Sequence, residues 1–211
     1  MNILITGTSR GIGKEAANKF LQSGNDVFGI DLPGRPNPFP KEFGYTHIEA
    51  DVTRRETLPE LLTMQVVVNC AGVQTADPDE DSQRDMDVNF WGVVNITRKY
   101  ALQPDIKAIV NVASASAHTG AEFPVYAASK GALLTYTKHI AQEVAKWGAT
   151  CNSISPGAVI TDMNEHILKD AKLFEAVANE SLLKRWATPE EIAEWIYFIA
   201  VINRSMTAQD V

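Results

Sequence analysis

The stretch that decides the fold is Thr6-Gly7-Thr8-Ser9-Arg10-Gly11-Ile12-Gly13, close to the start of the 211-residue chain. It lies between the apolar run Asn2–Thr6 and the predicted helix Gly13–Ser23. Glycine lets the backbone turn sharply and approach a ligand closely, because it has no Cβ. The unpaired N–H groups at the start of a helix favour a bound phosphate. The residues of this turn predicted to bind a phosphate-bearing cofactor are Gly7, Ser9, Arg10, Gly11, Ile12 and Gly13.

The rest of the chain alternates short β-rich runs with helical stretches. Strands are predicted at Asn2–Thr6, Asp26–Ile30, Thr46–Ala50, Gln65–Asn69, Lys107–Ala113 and Ala149–Ile154. Helices are predicted at Gly13–Ser23, Arg55–Leu62, Gln83–Leu102, Ala127–Gly148, Asn164–Ser181 and Pro189–Val201. Continuous apolar strands are typical of a sheet that is covered on both faces. The alternation therefore predicts a single α/β domain over residues 1–211, with a Rossmann-like, doubly wound parallel sheet flanked by helices.

The composition excludes several classes of protein. The net charge of −7 and the scattered basic residues argue against nucleic acid or an anionic membrane surface as a partner. We find no signal peptide and no apolar run long enough to span a membrane, so a soluble, cytoplasmic protein is expected. Cys70 and Cys151 are interpreted as reduced thiols, and the four histidines lack the spacing of metal ligands. The acidic run Asp77–Asp81 is interpreted as a solvated loop.

Asp31 ends the second predicted strand, about 20 residues after the glycine turn. A carboxylate at this position accepts hydrogen bonds from the ribose hydroxyls of a dinucleotide and repels a 2′-phosphate, which favours NAD. Arg10 and Arg35 are close to it in sequence, and each is a candidate partner for a phosphate. NAD is therefore the predicted cofactor, with NADP left open.

The segment Tyr126-Ala127-Ala128-Ser129-Lys130 carries the candidate chemistry. Residues four apart on a helix share a face, so the Tyr126 hydroxyl and the Lys130 ammonium can share a site. A nearby cation lowers the pKa of a phenol, and the tyrosine can then exchange a proton with a substrate oxygen. Ser114 follows an apolar strand and is predicted to orient that oxygen, with Ser116 as the fallback.

Together these motifs resemble the short-chain dehydrogenase/reductase family over nearly the whole chain. Residues 6–13 match its Thr-Gly-x-x-x-Gly-x-Gly turn, and Asn69-Cys70-Ala71-Gly72 is similar to its Asn-Asn-Ala-Gly motif. The resemblance implies that Asn89, Ser114, Tyr126 and Lys130 are catalytic, with Tyr126 and Lys130 also touching the cofactor. It adds to the cofactor-binding set Asp51, Val52, Asn69, Ala71, Gly72, Pro156, Gly157, Val159 and Thr161.

The resemblance also implies a substrate lid over residues 162–185 and a homodimer or homotetramer. Assembly is expected through apolar outer positions on two helices, at Phe90, Val94, Tyr136 and Ile140. Three features depart from the family. The connection after Asp51 is short, the spacing from Ser114 to Tyr126 is tight, and the chain stops at Val211, where the last strand of the family would begin. A stunted helix after Asp51 and a missing or rudimentary last strand are expected.

The implied function is NAD(P)-dependent oxidoreduction that interconverts an alcohol with a ketone or aldehyde, acting on a small-molecule substrate. A non-catalytic dinucleotide-binding sensor with the same fold is the alternative, although the complete Asn89, Ser114, Tyr126 and Lys130 set disfavours it. An epimerase or dehydratase would usually need a larger substrate domain, and no feature favours a pure interaction protein. The substrate itself is not predicted.

Overall fold

The computed structural model describes residues 1–75, 82–121 and 123–211, so the acidic run Asp77–Asp81 lies outside the described residues. Within these ranges, six strands form one parallel sheet in the order β3-β2-β1-β4-β5-β6. The strands are β1 (Asn2–Thr6), β2 (Asp26–Asp31), β3 (Tyr45–Glu49), β4 (Val66–Asn69), β5 (Ala108–Val112) and β6 (Thr150–Ile154). Because β2 and β4 lie on opposite sides of β1, the strand order reverses there. This confirms the predicted doubly wound, Rossmann-like sheet.

The helices follow the strands in the expected alternation. They are α1 (Gly11–Gln22), α2 (Gln83–Met86), α3 (Val93–Ile96), α4 (Ser116–Thr119), α5 (Pro124–Val144), α6 (Glu165–Leu168), α7 (Ala171–Glu180) and α8 (Pro189–Tyr197). A π-helical segment at Asp87–Gly92 joins α2 to α3, and a second at Thr97–Ala101 extends α3. Together they form one continuous helical stretch over residues 83–101. In the described parts of the chain, no helix is both long and apolar enough to cross a membrane.

The sheet is buried on both faces because successive apolar side chains of a strand point to opposite sides. On one face, Ile3 and Ile5 pack in a core with Phe20 of α1 and Ile196 of α8. On the other face, Leu4 packs in a second core that includes side chains of the helical stretch 83–101 and of α5. Burying a side chain such as Phe20 contributes about 1.5–3 kcal/mol. Helices on both faces therefore hold the strand ends, where the site lies, in fixed positions.

Two predicted helices differ from the structure, each for a local reason. The predicted helix Arg55–Leu62 is reduced to a 3₁₀ turn at Arg55–Thr57, and Pro59 follows, which disfavours a helical residue before it. The predicted helix Asn164–Ser181 is divided into α6 and α7. The Asp170 carboxylate accepts hydrogen bonds from the N–H groups of Lys172 and Leu173 and thereby begins a new helix.

The last residues of the chain run beside β6. Ser153 donates its N–H to the Gln209 carbonyl at 2.9 Å, and the Val211 N–H donates to the Ser153 carbonyl at 3.1 Å. Ser153 and Asp210 form a single parallel bridge, which is shorter than a strand. The expected last strand is therefore rudimentary in this structure.

The prediction that four apolar positions on the helical stretch 83–101 and on α5 face outward is wrong for two of them. Val94 and Ile140 are buried within the chain itself. The rings of Phe90 and Tyr136 pack edge to face, with centroids 5.8 Å apart. Both rings are partly buried where the helical stretch 83–101 packs against α5. The neighbouring Trp91 is half exposed.

The N-terminus of α8 offers a test of how the fold is stabilised. The Thr188 side chain accepts from the Glu191 N–H at 3.3 Å, while the Glu191 carboxylate accepts from the Thr188 N–H at 2.9 Å. We expect Thr188→Ala to lower the free energy of unfolding by about 1 kcal/mol, because an N-cap hydrogen bond is lost. Urea denaturation measures this, with Thr188→Ser as the control that keeps the hydroxyl. Equal stability of the alanine variant and the wild type would contradict the assignment.

Candidate active site

A cleft of about 860 Å³ lies at the carboxyl ends of the strands. It brings together nearly all the predicted site residues, from both ends of the chain. Its walls include Gly7, Ser9, Arg10, Gly11, Ile12, Gly13, Asp31, Asp51, Val52, Ala71, Gly72, Ser114, Tyr126, Lys130, Pro156, Gly157, Val159 and Thr161. Asn69 and Asn89 are the predicted site residues that are not among the described residues of these walls.

The glycine turn forms one end of the cleft. Gly7 and Gly11 have φ angles of +76° and +56°, in the left-handed region that favours glycine. A Cβ on Gly13 would collide with the carbonyl oxygen of Gly7, so the start of α1 packs directly on the turn. The helix begins at Gly11 without a side-chain cap. A Cβ on Gly7 would lie 2.9 Å from the Ala71 Cα, so the turn also packs closely on the loop after β4. The turn and the start of the helix thus form a cradle that could hold a pyrophosphate.

The turn is fastened to the end of β2. The Ser9 N–H donates to Oδ2 of Asp31 at 2.9 Å, and the Leu32 N–H donates to Oδ1 at 2.8 Å. The Gly7 N–H donates to the Ile30 carbonyl at 2.8 Å. The carboxylate of Asp31 is therefore held in one orientation at the cleft wall, with Arg35 on the same wall.

Asp51 and Val52 form the adjoining wall. The Asp51 carboxylate accepts from the N–H and the hydroxyl of Thr53 at 2.9 and 2.8 Å. The Val52 carbonyl accepts from the Asn95 amide at 3.0 Å. The Val52 side chain packs closely on Gly92, because a Cβ on that glycine would lie 2.7 Å from a Val52 methyl group. These contacts hold the wall against the helical stretch 83–101, even though the helix expected after Asp51 is only one 3₁₀ turn.

At the other end of the cleft, α5 contributes Tyr126 and Lys130, both of which are buried. The Lys130 ammonium donates to the Val112 carbonyl at 2.8 Å and lies 5.7 Å from the centroid of the Tyr126 ring. Burial lowers the pKa of Lys130 to about 8, because the charged form loses its hydration. The structure thus places the tyrosine and the lysine next to each other in one cleft. The Val112 carbonyl, which fixes the lysine, was not predicted.

Ser114 and Ser116 both line the cleft, and they contact each other. Their hydroxyl oxygens are 3.3 Å apart, and the Ser116 N–H donates to the Ser114 hydroxyl at 3.2 Å. Ser114 directly follows β5 and Ala113, whereas Ser116 begins α4. Both assignments therefore remain compatible with the geometry, and the contact joins the two serines.

Asn89 lies behind the cleft wall. Its side-chain oxygen accepts from the Val73 N–H at 2.9 Å, and its amide donates to the Val73 carbonyl at 2.9 Å and to the Ser129 hydroxyl at 3.1 Å. A Cβ on Gly72 would lie 3.2 Å from the Asn89 oxygen and 3.5 Å from the Lys130 ammonium. The Asn89 side chain thus holds the loop after β4 close to the lysine.

Asn69 is also buried away from the cleft, in a row of hydrogen bonds across the sheet. Its amide donates to the Asn111 side chain at 2.8 Å, and the Asn111 amide donates to the Thr137 hydroxyl at 2.8 Å. The motif neighbour Cys70 lines the cleft, although it was not predicted to. Burial raises the pKa of Cys70 to about 12, so the thiol is neutral at physiological pH. The position of Cys70 within the Asn-Cys-Ala-Gly motif is the sequence signal that points to its place in the cleft.

The segment 156–161 closes the cleft from the side of β6. The Pro156 carbonyl accepts from the Ala115 N–H at 2.9 Å, which joins this segment to the serine loop. Thr161 lies beside the glycine turn, since a Cβ on Gly11 would be 3.5 Å from its methyl group. Beyond it, the predicted lid contributes Asp162, Met163 and further residues to the cleft, and buried Trp186 adjoins them. Trp186 is a cleft residue that the sequence did not predict.

Comparisons with known proteins agree with this arrangement. A family model described as enoyl-(acyl carrier protein) reductase matches residues 7–211. An uncharacterized short-chain type dehydrogenase/reductase of Sinorhizobium fredii (strain NBRC 101917 / NGR234) is 33% identical over 96% of the chain, which spans 41% of that relative. Glucose 1-dehydrogenase of Gluconobacter oxydans (strain 621H) is 30% identical over 94% of the chain and 84% of its own length.

A solved structure of a 4-hydroxyisoleucine dehydrogenase mutant, complexed with NADH and succinate, has a TM-score of 0.91 to this chain. The two sequences are 27% identical, and the match covers 100% of this chain and 95% of the chain in that structure. The match to the family model, the similarity to these relatives and the geometry of the cleft agree on the family of this chain. The chain belongs to the short-chain dehydrogenase/reductase family of oxidoreductases.

Proposed function

We propose that the whole chain acts as one catalytic domain, which interconverts an alcohol and a ketone or aldehyde by NAD(P)-dependent hydride transfer. The bound nicotinamide coenzyme would supply or accept the hydride. The observation that carries the proposal is the buried Lys130 ammonium, 5.7 Å from the Tyr126 ring, in the same cleft as the glycine turn. The structural neighbour described above binds NADH, and the Gluconobacter oxydans relative is a dehydrogenase.

Tyr126 is the proposed general acid and base. In the direction of reduction, its phenol donates a proton to the substrate oxygen, and in oxidation its phenolate accepts that proton. With a pKa of about 8, Lys130 is mostly charged at neutral pH, so its ammonium favours the phenolate. Ser114 would donate a hydrogen bond to the substrate oxygen, and the Ser116 N–H, which donates to the Ser114 hydroxyl oxygen at 3.2 Å, would hold that hydroxyl in place. Asn89 would contribute by positioning the loop after β4, through its hydrogen bond to the Val73 carbonyl.

NAD is the proposed coenzyme. Asp31 would accept hydrogen bonds from the ribose hydroxyls, because its carboxylate is fixed at the cleft wall beside the turn. A 2′-phosphate in the same place would meet the negative charge of that carboxylate. The remaining contacts of the dinucleotide are proposed to come from the Asp51 and Val52 wall, the loop Ala71–Gly72 and the segment 156–161.

The substrate is proposed to be a small alcohol or carbonyl compound that binds under the lid, residues 162–185. Met163, Ile167 and Trp186 are cleft residues from this region and from its border, and they give the pocket apolar walls. Trp186 is fixed by a ring stack on Phe174, with centroids 5.4 Å apart, and by its own N–H, which donates to the Phe174 carbonyl at 3.0 Å.

Replacing Tyr126 with Phe tests the proposed chemistry. We expect turnover to fall by about a hundredfold or more, because the proton donor is lost while the ring is kept. The dissociation constant for NADH should stay close to that of the wild type. Turnover is measured by NADH absorbance, on the best substrate from a panel of ketones and aldehydes. Tyr136→Phe is the matched control, because Tyr136 lies on the same helix outside the described cleft walls. Near-normal turnover in the Tyr126 variant would rule out this tyrosine as the acid.

Replacing Asp31 tests the choice of coenzyme. We expect Asp31→Ala to raise the ratio of kcat/KM for NADPH to that for NADH by about fivefold or more, since two unit charges 4 Å apart repel by about 1 kcal/mol even in water. Both efficiencies should also fall, because the Ser9 N–H loses its acceptor. Asp31→Asn separates the two effects, because it removes the charge and keeps an acceptor. A wild-type preference for NADPH would contradict the assignment.

Assembly as a homodimer or homotetramer is also part of the proposal. Exposed aromatic side chains support it: Trp91 is 50% exposed on the helical stretch 83–101, and Trp195 is 51% exposed on α8. Such apolar surface is commonly covered by another protein. We expect light scattering at micromolar concentration to give the mass of two or four chains. A monomer under these conditions would contradict the proposal.

A further inference from the structure

An ion pair crosses the cleft between the glycine turn and the lid. Nη1 of Arg10, which precedes α1, lies 3.4 Å from Oδ2 of Asp162, at the first position of the lid. Both residues line the cleft, although 152 positions separate them in the chain. The same two segments are adjacent at the next residues, because a Cβ on Gly11 would lie 3.5 Å from the Thr161 methyl group. The pair therefore links the proposed phosphate-binding turn to the segment that covers the substrate.

Arg10 also lies next to the proposed ribose position. Its neighbour Ser9 is bound through its N–H to the Asp31 carboxylate, so the Arg10 backbone is fixed beside the end of β2. The Arg10 side chain is 57% exposed, and a long exposed arginine can change its rotamer at little cost. A guanidinium in this position has two possible anionic partners when NADP is bound: the Asp162 carboxylate and the 2′-phosphate.

We propose that Asp162 is a specificity-determining residue, which disfavours NADP by holding the Arg10 guanidinium on the lid side of the cleft. The inference rests on the proposed function, since it concerns the coenzyme of that site. To neutralise a 2′-phosphate, Arg10 must leave Asp162, and binding of NADP is weakened by the strength of that ion pair. NAD lacks the 2′-phosphate and so offers Arg10 no competing anion at the ribose, while the pyrophosphate, which both coenzymes carry, does not contribute to the difference between them. Coenzyme choice is then set from two directions, by repulsion at Asp31 and by competition at Asp162.

The experiment measures dissociation constants for NADH and NADPH by nicotinamide fluorescence, without substrate. We expect Asp162→Asn to increase the affinity for NADPH relative to NADH by about two- to fivefold, the range for one exposed ion pair. The matched control is Glu165→Gln. It removes the same charge from the same lid and breaks an exposed pair with Lys169 at 2.7 Å, but Glu165 does not line the described cleft. The control should leave the affinity ratio unchanged.

A second comparison shows whether Asp162 acts through Arg10. In an Arg10→Ala background, Asp162→Asn should no longer change the affinity ratio. If the ratio rises equally there, Asp162 repels the phosphate directly and the inference is wrong. An unchanged ratio in Asp162→Asn alone, with the thermal midpoint of the wild type, would also overturn it. These outcomes differ from failure of the proposed function, in which the wild type binds neither coenzyme.

Discussion

The hydrogen bond from the Ser9 N–H to the Asp31 carboxylate organises the coenzyme end of the site. Together with the bond from Gly7 to the Ile30 carbonyl, it ties the glycine turn to the end of β2. The Thr8 hydroxyl between them shares a hydrogen bond of 2.9 Å with the Tyr45 hydroxyl of β3. Three consecutive turn residues are thus attached to neighbouring strands. The same contacts therefore set the shape of the proposed phosphate cradle and the position of Asp31, the proposed ribose acceptor.

At the other end of the cleft, where the proposed catalytic residues lie, the geometry depends on the burial of the Lys130 ammonium. Removing a charge from water is costly, and the reduced pKa of Lys130 reflects that cost. The Val112 carbonyl offsets part of it by accepting a hydrogen bond at 2.8 Å. Because Val112 ends β5, the bond also fixes α5 relative to the sheet. The lysine is thereby held at the cleft with enough proton affinity to stay mostly charged at neutral pH.

The features that were predictable from the sequence are those with a local signal. The glycine turn is short and lies between a strand and a helix, and the interval from Tyr126 to Lys130 places both residues on one helical face. Both predictions agree with the geometry of the cleft. The helix boundary at Asp170 also has a local signal, a side-chain cap, but the apolar residues on both sides of it suggested one continuous helix. Caps of this kind compete with periodicity and are easily overlooked.

The features that the sequence did not predict depend on contacts between residues that are distant in the chain. Asn69 and Asn89 matched motif positions, yet their amides face Asn111 and Val73, so they act behind the cleft and not on its surface. Arg10 is the clearest case, because its position in the turn was compatible with attraction of a 2′-phosphate. Its ion pair with Asp162 joins residues 152 positions apart, and no periodicity or local spacing encodes such a contact. The charge of a residue near a binding site thus predicts its effect only when its competing partners are known. For Arg10, the competing partner is Asp162, at the first position of the proposed lid.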